Sequence, residues 1–292
     1  MIQNSKLSII IVTFNSEKHI SNCLSRLIIS TKSIKGVNII IIDNNSLDNT
    51  VKKIRSSFLK KGKTNISLFE NKKNIGFAEA VNNGILLCES DNYLLVNPDI
   101  LVNKETIKKV LECQLASNAD IVGLRTKDVD NHESGSYFRF PNIWVGLFDF
   151  SNLRKLDKKD YWHNYFYCID KRNIKNDFEV DIVTGGFMLI RNRVVKKIGL
   201  FDAKYFMYLE DVDFCLRAHN AGFKIYICNE FVTHIGGASS NNKDRVNHGA
   251  WKNSRKRYFL KHFGITSNLV IQVVFALDDM LISVLRYIKN EN

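Results

Sequence analysis

The chain has 292 residues, 45% of them hydrophobic and 11% aromatic, so it can bury a sizeable core as one large or two small globular domains. Lys and Arg outnumber Asp and Glu by 42 to 30, which gives a formal net charge of +12. That charge indicates an anionic partner, and nucleic acid, a phosphorylated ligand and an acidic membrane surface all remain open.

Cysteine usage and hydropathy constrain the location of the protein. The six cysteines form no C-x-x-C pair, and the N-terminus runs into a short apolar strand without a signal-peptide cleavage site. These features predict free thiols in a reducing cytoplasm. The uncharged stretch Phe263–Leu277 is interrupted by two aspartates before it is long enough to cross a bilayer, so we expect no spanning helix.

The first part of the chain repeats a pattern of strand, loop and helix. The runs Leu7–Thr13 and Val37–Asp43 are apolar on both faces, which is typical of parallel strands covered by helices. Helical patterns follow from His19 to about Ser30 and after the second strand, where Ser46 or Asp48 can cap the helix. Ligands of such sheets bind at the carboxyl ends of the strands. The polar residues at those ends are Thr13, Asn15, Asp43 and Asn44.

Two more predicted strands end in polar loops. Asn65–Glu70 leads to Gly76, which opens a helix and allows backbone N–H groups to approach a phosphate or a base edge. Asn92–Val96 ends in Asn97-Pro98-Asp99, where the proline fixes a carboxylate that suits a hard divalent cation. A helix from Lys104 to Leu115 follows. Each loop also occurs as an ordinary turn, so neither decides the function alone.

The middle of the chain is less regular. A strand is predicted at residues 120–124 and an edge strand at Ser136–Pro141, whereas residues 142–176 lack a clear period and are interpreted as loop and short helices over the sheet. In Val180–Arg191 two strand-like runs meet at the pair Gly185-Gly186. Paired glycines permit a ligand to approach the backbone, although a β-bulge would explain them equally well.

The segment Tyr205–Ala218 concentrates three carboxylates among aromatic and apolar residues. Glu210, Asp211 and Asp213 begin a run with apolar residues at helical spacing, so they lie at a helix N-terminus, where the macrodipole favours negative charge. This arrangement predicts a carboxylate presented at the mouth of a site. The alternative is that the acids only cap a buried helix.

After two further predicted strands, Lys224–Cys228 and Phe231–His234, the chain ends in two predicted helices. Two glycines after His234 leave its ring accessible, although a lone histidine at this place is usually structural. The helix around Trp251 interleaves basic and aromatic residues, and Leu269–Ile288 carries one apolar stripe opposite polar residues. The second helix would pack on the core or dock on a membrane surface.

Several short motifs occur in the order typical of one family. They are Thr13-Phe14-Asn15, the strand end Ile42–Thr50, Asn74–Ala78, Leu95–Asp99, Thr184-Gly185-Gly186, Tyr208–Asp213 and His234. Over residues 6–240 the chain resembles a family 2 inverting glycosyltransferase of the GT-A fold, and in particular the bacterial rhamnosyltransferases that build O-antigen and related cell-surface polysaccharides.

The resemblance implies an α/β fold with a Rossmann-like, mostly parallel sheet flanked by helices. The glycosyltransferase domain would comprise residues 1–240, with a nucleotide-binding half to about residue 125 and an acceptor half after it. Residues 241–292 would form a C-terminal extension of basic and amphipathic helices.

Roles for individual residues also follow from the resemblance. The donor nucleotide would be bound by Thr13, Asn15, Asp43, Asn44, Gly76 and Asn97, with Gly185 and Gly186 bordering the acceptor. Asp99 would bind Mg²⁺ or Mn²⁺ on the diphosphate, His234 would help to hold that metal or the diphosphate, and Asp211 would be the catalytic base. Many relatives carry Asp-x-Asp where this chain has Asn97-Pro98-Asp99, so one carboxylate fewer predicts weaker metal binding.

We therefore expect inverting transfer of a sugar, rhamnose from dTDP-rhamnose, to a growing lipid-linked saccharide, in the cytoplasm or peripherally at the inner membrane face. A UDP-sugar donor is the main alternative. A sugar-phosphate nucleotidyltransferase would need a glycine-rich loop with Arg or Lys after the first strand, which this chain lacks. A nucleic-acid-binding protein would fit the charge but not Asp43, Asp99 and Asp211 at strand and helix ends. An inactive scaffold would not need Asp99, Asp211 and His234.

Overall fold

A computed structural model describes residues 2–59, 65–236 and 244–291 of the chain. The strands are β1 (Ile2–Thr13), β2 (Val37–Asp43), β3 (Ile66–Glu70), β4 (Cys88–Val96), β5 (Ile100–Leu101), β6 (Ile121–Lys127), β7 (Glu133–Ser134), β8 (Tyr137–Phe138), β9 (Phe178–Glu179), β10 (Ile182–Val183), β11 (Phe187–Arg191) and β12 (Ile225–His234). The helices are α1 (Ile20–Thr31), α2 (Thr50–Ile54), α3 (Phe77–Leu86), α4 (Thr106–Ala116), α5 (Ile143–Phe148), α6 (Tyr161–Phe166), α7 (Asn192–Ile198), α8 (Glu210–Asn220), α9 (Asp244–His262) and α10 (Ile265–Glu291). A π-helical turn at Arg55–Leu59 and 3₁₀ turns at Asn152–Leu156 and Ile169–Lys171 complete the described elements.

One large sheet carries the fold, with the strand order β3-β2-β1-β4-β11-β6-β12-β5. Strands β3, β2, β1 and β4 are mutually parallel, β6 and β12 are parallel, and β11 runs antiparallel between β4 and β6. Short strands β7 and β9 pair with β6 and β12, and β8 pairs with β10 in a separate two-stranded sheet. The sheet is mixed but mostly parallel, which confirms the predicted fold class.

The central strands are buried because both of their faces are apolar and successive side chains point to opposite faces. Ile9 and Ile11 pack in a cluster with residues of α1 and α4, whereas Ile10 packs in a second cluster with residues of α3 and α8. Helices therefore cover both faces of the sheet. All six cysteines are buried free thiols.

Strand register brings the predicted site residues to one edge of the sheet. In the parallel pair of β1 and β2, the last residues Thr13 and Asp43 lie directly side by side. Strand β4 pairs with the other side of β1, and the turn after it bonds to the Gly185-Gly186 segment through the Asn97 N–H and the Gly186 carbonyl (2.9 Å). The two strand-like runs predicted around this glycine pair are β10 and β11.

Two local predictions differ from the structure in extent, and a third, which left Ser46 and Asp48 open as helix caps, is decided for Asp48. Of the predicted edge strand Ser136–Pro141, only β8 is paired. The two predicted strands after α8 form one strand, β12, whose register shifts between Cys228 and Phe231. The helix after β2 begins at Thr50, whose N–H bonds Asp48 Oδ1 (3.0 Å), and Ser46 bonds Asp43 instead. The short helices expected within residues 142–176 are confirmed.

The C-terminal helices share the core of the sheet. Tyr258 and Phe259 of α9 and Ile271 and Phe275 of α10 are buried in the same cluster as the residues of α3 and α8. The predicted domain boundary at residue 240 lies outside the described residues and stays a prediction. Within the described residues, α9 and α10 pack in the same hydrophobic cluster as α3 and α8.

We expect the substitution Gly84→Ala to destabilise the fold. Gly84 lies in α3 against β1, and a Cβ there would lie 2.6 Å from Ile10 Cγ2, so overpacking should lower the free energy of unfolding by about 1–3 kcal/mol. Gly249→Ala in α9 is the matched control, because its Cβ would meet nothing within 4 Å and alanine favours a helix over glycine. Urea unfolding measures the stability of both variants. A Gly84→Ala variant as stable as Gly249→Ala would contradict the close contact between α3 and β1.

Candidate active site

A cavity of about 400 Å³ opens at the carboxyl ends of the central strands. Its walls include eight predicted site residues: Asn44, Gly76, Asn97, Asp99, Gly185, Gly186, Asp211 and His234. The other three, Thr13, Asn15 and Asp43, do not line it, although each is the chain neighbour of a residue that does. The structure thus brings most of the predicted residues together in the cavity wall, and the other three lie next to lining residues along the chain.

Asp43 is the centre of a buried hydrogen-bond network between the loops after β1 and β2. Its carboxylate accepts bonds from the Thr13 hydroxyl (2.7 Å) and from the Ser46 N–H (2.8 Å) and hydroxyl (2.6 Å). Asn15, in the left-handed region at φ 50°, donates its N–H to Ser46 Oγ (2.9 Å) and accepts from the Leu47 N–H (2.8 Å). These residues therefore fix the two loops to each other. Sequence reasoning missed Ser46 as the link, because it considered Ser46 only as one of two candidate helix caps.

The chain packs so closely around residue 76 that only glycine fits there. Its φ is 89°, and a Cβ there would lie 2.5 Å from the carbonyl oxygen of Phe206. The same carbonyl accepts the Phe77 N–H (2.8 Å), and the Gly76 carbonyl accepts from Asn44 Nδ2 (3.0 Å). The loop that precedes α8 is thus fastened to the start of α3. Ligand contact at Gly76 stays a prediction.

Asp99 and His234 meet on the cavity wall because β5 pairs with the end of β12. This pairing sets His234 opposite Ile100, and the Ile235 N–H bonds the Asp99 carbonyl (3.0 Å). The His234 Nε2 and Asp99 Oδ2 atoms are 3.3 Å apart. A carboxylate and an imidazole facing a cavity can hold Mg²⁺ or Mn²⁺ while leaving positions open for phosphate oxygens. The donor set therefore fits the predicted metal.

Asp211 is held at the cavity by two backbone hydrogen bonds. Its Oδ2 accepts from the Gly185 N–H (3.0 Å) and its Oδ1 from the Val212 N–H (2.8 Å). Burial raises the pKa of the Asp211 carboxyl above its usual value, and these donors oppose the rise. The glycine pair thus has a role that sequence reasoning missed, since its backbone orients the carboxylate.

Glu210 lies beside Asp211 on the same wall in a different environment. It is 5% exposed, and its Oε2 atom has no hydrogen-bond partner among the described residues. Burial first, and then the negative charge of Asp211, raise the pKa of Glu210 well above its usual value. The N–H groups of Gly185 and Val212 favour the charged form of Asp211, whereas burial and the charge of Asp211 outweigh the one backbone hydrogen bond of Glu210, so the pKa of Glu210 is raised more strongly.

A strained turn sets the direction of these acids. Tyr208 and Leu209, directly before α8, both adopt the left-handed conformation, with φ of 73° and 62°. For residues with a Cβ this costs of order 1–2 kcal/mol each, and such strain is concentrated at functional sites. Tyr208 also lines the cavity with Phe206 and Met207. The aromatic part of this segment, to which sequence reasoning gave no role, is therefore a wall of the site.

Asp213 points away from the cavity and fixes α8 to α9. Its fully buried carboxylate lies 2.7 Å from His262 Nε2, 2.6 Å from Lys261 Nζ and 2.9 Å from Arg217 Nε. Burial alone would raise the pKa of Asp213, but the hydrogen bonds from these three side chains outweigh it and hold the pKa well below its usual range. Sequence reasoning placed the acid correctly at the helix start and could not identify its distant partners.

The chain also matches known proteins. Residues 4–254 match the family described as glycosyltransferase like family 2. The chain belongs to this family. The matched residues include the cavity, α8 and nearly the whole sheet, and the match confirms the family resemblance seen in the sequence.

Two curated relatives and one solved structure illustrate the range of this glycosyltransferase family. The chain is 29% identical over 236 residues to a low-salt glycan biosynthesis hexosyltransferase of Haloferax volcanii, covering 76% of this chain and 64% of that protein. It is 25% identical over 273 residues to an N-acetylglucosaminyl-diphospho-decaprenol L-rhamnosyltransferase of Mycobacterium tuberculosis, covering 88% and 85%. A mannosyltransferase of Pyrobaculum calidifontis in complex with GDP-Man and Mn²⁺ superimposes with a TM-score of 0.58 at 13% identity, covering 89% and 63%. The structural likeness confirms the GT-A fold.

We expect Asp213→Asn to destabilise this glycosyltransferase by about 3–5 kcal/mol, because it breaks a buried ion network and leaves cations uncompensated. The Asp213 pKa is depressed in the folded state, so its contribution is complete above the ordinary aspartate pKa of about 4 and is lost as the pH falls below it. The stability difference from the parent protein should be constant from about pH 5 to 8 and shrink in acid.

Glu112→Gln, in an exposed i,i+4 pair with Lys108, is the matched control and should leave the melting temperature nearly unchanged. Denaturant unfolding as a function of pH measures both variants. A difference for Asp213→Asn that grew towards acid pH would show that the carboxylate is not stabilised by its cations.

Proposed function

We propose that the protein is an inverting glycosyltransferase that transfers a sugar from a nucleotide-sugar donor to a saccharide hydroxyl. One observation carries the proposal: the oriented Asp211 carboxylate and the Asp99–His234 pair face the same cavity. A base for the incoming hydroxyl and a site for the departing diphosphate are the two parts that a direct displacement at the anomeric carbon needs.

The donor would span the carboxyl ends of the strands. In this arrangement Asn44 and Gly76 border the nucleotide, while the loops tied together by Asp43 shape its pocket from behind. Asp99 and His234 would hold Mg²⁺ or Mn²⁺ on the diphosphate. A bound divalent cation supplies positive charge that neutralises the leaving group. The neighbour solved with GDP-Man and Mn²⁺ supports binding of a divalent metal together with a nucleotide-sugar donor.

Asp211 would act as the general base. The acceptor hydroxyl gives its proton to Asp211, its oxygen bonds the anomeric carbon, and the bond from that carbon to the diphosphate oxygen breaks on the opposite face. The Gly185 and Val212 N–H groups aim the carboxylate and favour its ionised form. Burial and the charge of Asp211 raise the pKa of Glu210, which disfavours a second negative charge next to Asp211. One displacement of this kind inverts the configuration.

The donor is proposed to be dTDP-rhamnose and the acceptor a lipid-linked saccharide of a cell-surface polysaccharide. The support is the resemblance of Asn97-Pro98-Asp99 and the acidic helix to rhamnosyltransferases, together with the mycobacterial relative, whose name specifies L-rhamnosyl transfer to a diphospho-decaprenol saccharide. A UDP-sugar is the alternative donor. Transfer would take place in the cytoplasm or at the inner face of its membrane, where lipid-linked saccharides are accessible.

We expect Asp211→Asn to lower the rate of sugar transfer by about 10²- to 10⁴-fold, because an amide cannot accept the proton. Donor affinity and melting temperature should stay close to those of the parent protein. Glu210→Gln is the matched control: it removes the neighbouring carboxyl, whose pKa is raised, keeps its shape and should keep transfer within about tenfold. Near-normal turnover by a folded Asp211→Asn would show that Asp211 is not the base and that these acids only cap the helix.

Donor and metal binding can be measured without an acceptor. In calorimetric titrations with Mn²⁺ present, dTDP should bind the parent protein, and Asp99→Asn should weaken binding by at least about tenfold while leaving metal-free binding unchanged. Asp91→Asn, an exposed acid on β4, is the control and should bind as the parent does. Tighter binding of UDP than of dTDP would favour the alternative donor, and no binding of either with metal would exclude the proposed site.

A further inference from the structure

Helix α10 presents its apolar side outwards. Over residues 265–281 the exposed side chains are Ile265, Thr266, Leu269, Val270, Val273, Ala276, Leu277, Met280 and Leu281. None of them is charged, and they lie together on one side of a helical wheel. The predicted apolar stripe is therefore turned away from the core, which α10 contacts through Ile271 and Phe275 instead. We call the exposed side chains the α10 outer face.

Two acidic residues of α10 are turned inwards. Asp278 and Asp279 are buried, and Arg255 lies between them at 3.0 Å and 2.7 Å. Lys252 and Lys256 also pair with Asp279, at 3.1 Å and 2.9 Å. A helix exposed to water on one side would normally direct its charges to that side. Here the negative charges are neutralised inside and the outer face carries none among its described side chains.

A basic segment adjoins the helix. The N–H and Nδ2 of Asn152 bond Asp278 Oδ1 (2.9 Å and 2.6 Å), so the 3₁₀ turn that begins at Asn152 lies against α10. This turn and the residues after it expose Leu153, Leu156, Lys155, Lys158 and Lys159. The exposed Arg154 and Asp160 of the same segment pair with each other (3.1 Å), so the three lysines remain as positive charge. The surface of α10 and this segment therefore combines exposed apolar side chains with positive charge.

We propose that the α10 outer face and the adjoining basic segment dock on an anionic lipid bilayer, with α10 lying in the plane of the surface. Apolar side chains buried at the acyl boundary with lysines at anionic headgroups match both parts of the surface. Among the described residues no helix is long and apolar enough to cross a membrane. A second copy of the chain fits less well, because pairing this face in a symmetric dimer brings like charges together. The purpose of the docking rests on the proposed function, because a lipid-linked acceptor would be located in the bilayer to which the protein docks.

The test is flotation of the full chain with vesicles. With vesicles of equal parts phosphatidylcholine and phosphatidylglycerol at low salt the parent protein should float, and it should float markedly less at high salt or with pure phosphatidylcholine. Val273→Asp/Leu277→Asp should lower the partition coefficient by about tenfold or more, because it puts charge into the outer face. Lys155→Glu/Lys158→Glu should weaken binding to the anionic vesicles and leave binding to neutral vesicles unchanged.

The matched control is Leu115→Asp/Val129→Asp, which adds the same charge at two exposed apolar residues elsewhere and should float as the parent does. Absence of flotation with anionic vesicles, or undiminished flotation of Val273→Asp/Leu277→Asp, would overturn the proposal. So would a dimer in solution that this double variant converts to monomer. Donor binding by calorimetry is independent of vesicles, so a failure of the docking and a failure of the proposed function give different results.

Discussion

The buried carboxylate of Asp213 is the constraint on which the arrangement of the site depends. A buried charge is tolerated only when it is fully paired, and its pairs here come from α8 itself and from the last turn of α9. Asp213 therefore couples the helix that presents Asp211 to the C-terminal helices. Asp202 reinforces this connection by pairing with Arg257 and Lys261. The orientation of α8 thus follows from packing well outside the cavity.

Two neighbouring acids acquire different properties because their surroundings differ. Asp211 faces the backbone N–H groups of Gly185 and Val212, whereas one oxygen of Glu210 has no hydrogen-bond partner in the part of the chain that the structure describes. The direction of each side chain is set by the left-handed turn at Tyr208 and Leu209, which the packing of Phe206 on Gly76 holds in place. The strained turn and the glycine contact therefore act together to place two neighbouring carboxyls in surroundings that raise their pKa values to different extents.

The sequence predicts the fold well because its strongest signals are local. Apolar runs such as Val37–Asp43 identify the buried strands, and the rule that ligands bind at carboxyl strand ends predicts that Asn44, Asn97 and Asp99 lie close together. Contacts between distant segments leave no such signal. Neither the link from Ser46 to Asp43 nor that from His262 to Asp213 follows from periodicity. Periodicity also shows that α10 is amphipathic, but it does not show which side faces the protein. Here Arg255 pairs with Asp278 and Asp279, so the side that carries these acids faces inwards.

The family match ends at residue 254, while the side chains that neutralise Asp213, Asp278 and Asp279 include residues 255, 261 and 262. A boundary drawn from homology would therefore cut through the ion network of α8. Because the N-terminal part of a chain emerges from the ribosome first, α8 is made before the residues of α9 that pair with Asp213. The sheet can assemble early, but the helix with the proposed base is secured only after the C-terminal helices have been made. An unfinished polypeptide that stops before residue 261 would lack both side chains of α9 that pair with Asp213, so α8 would be held less firmly.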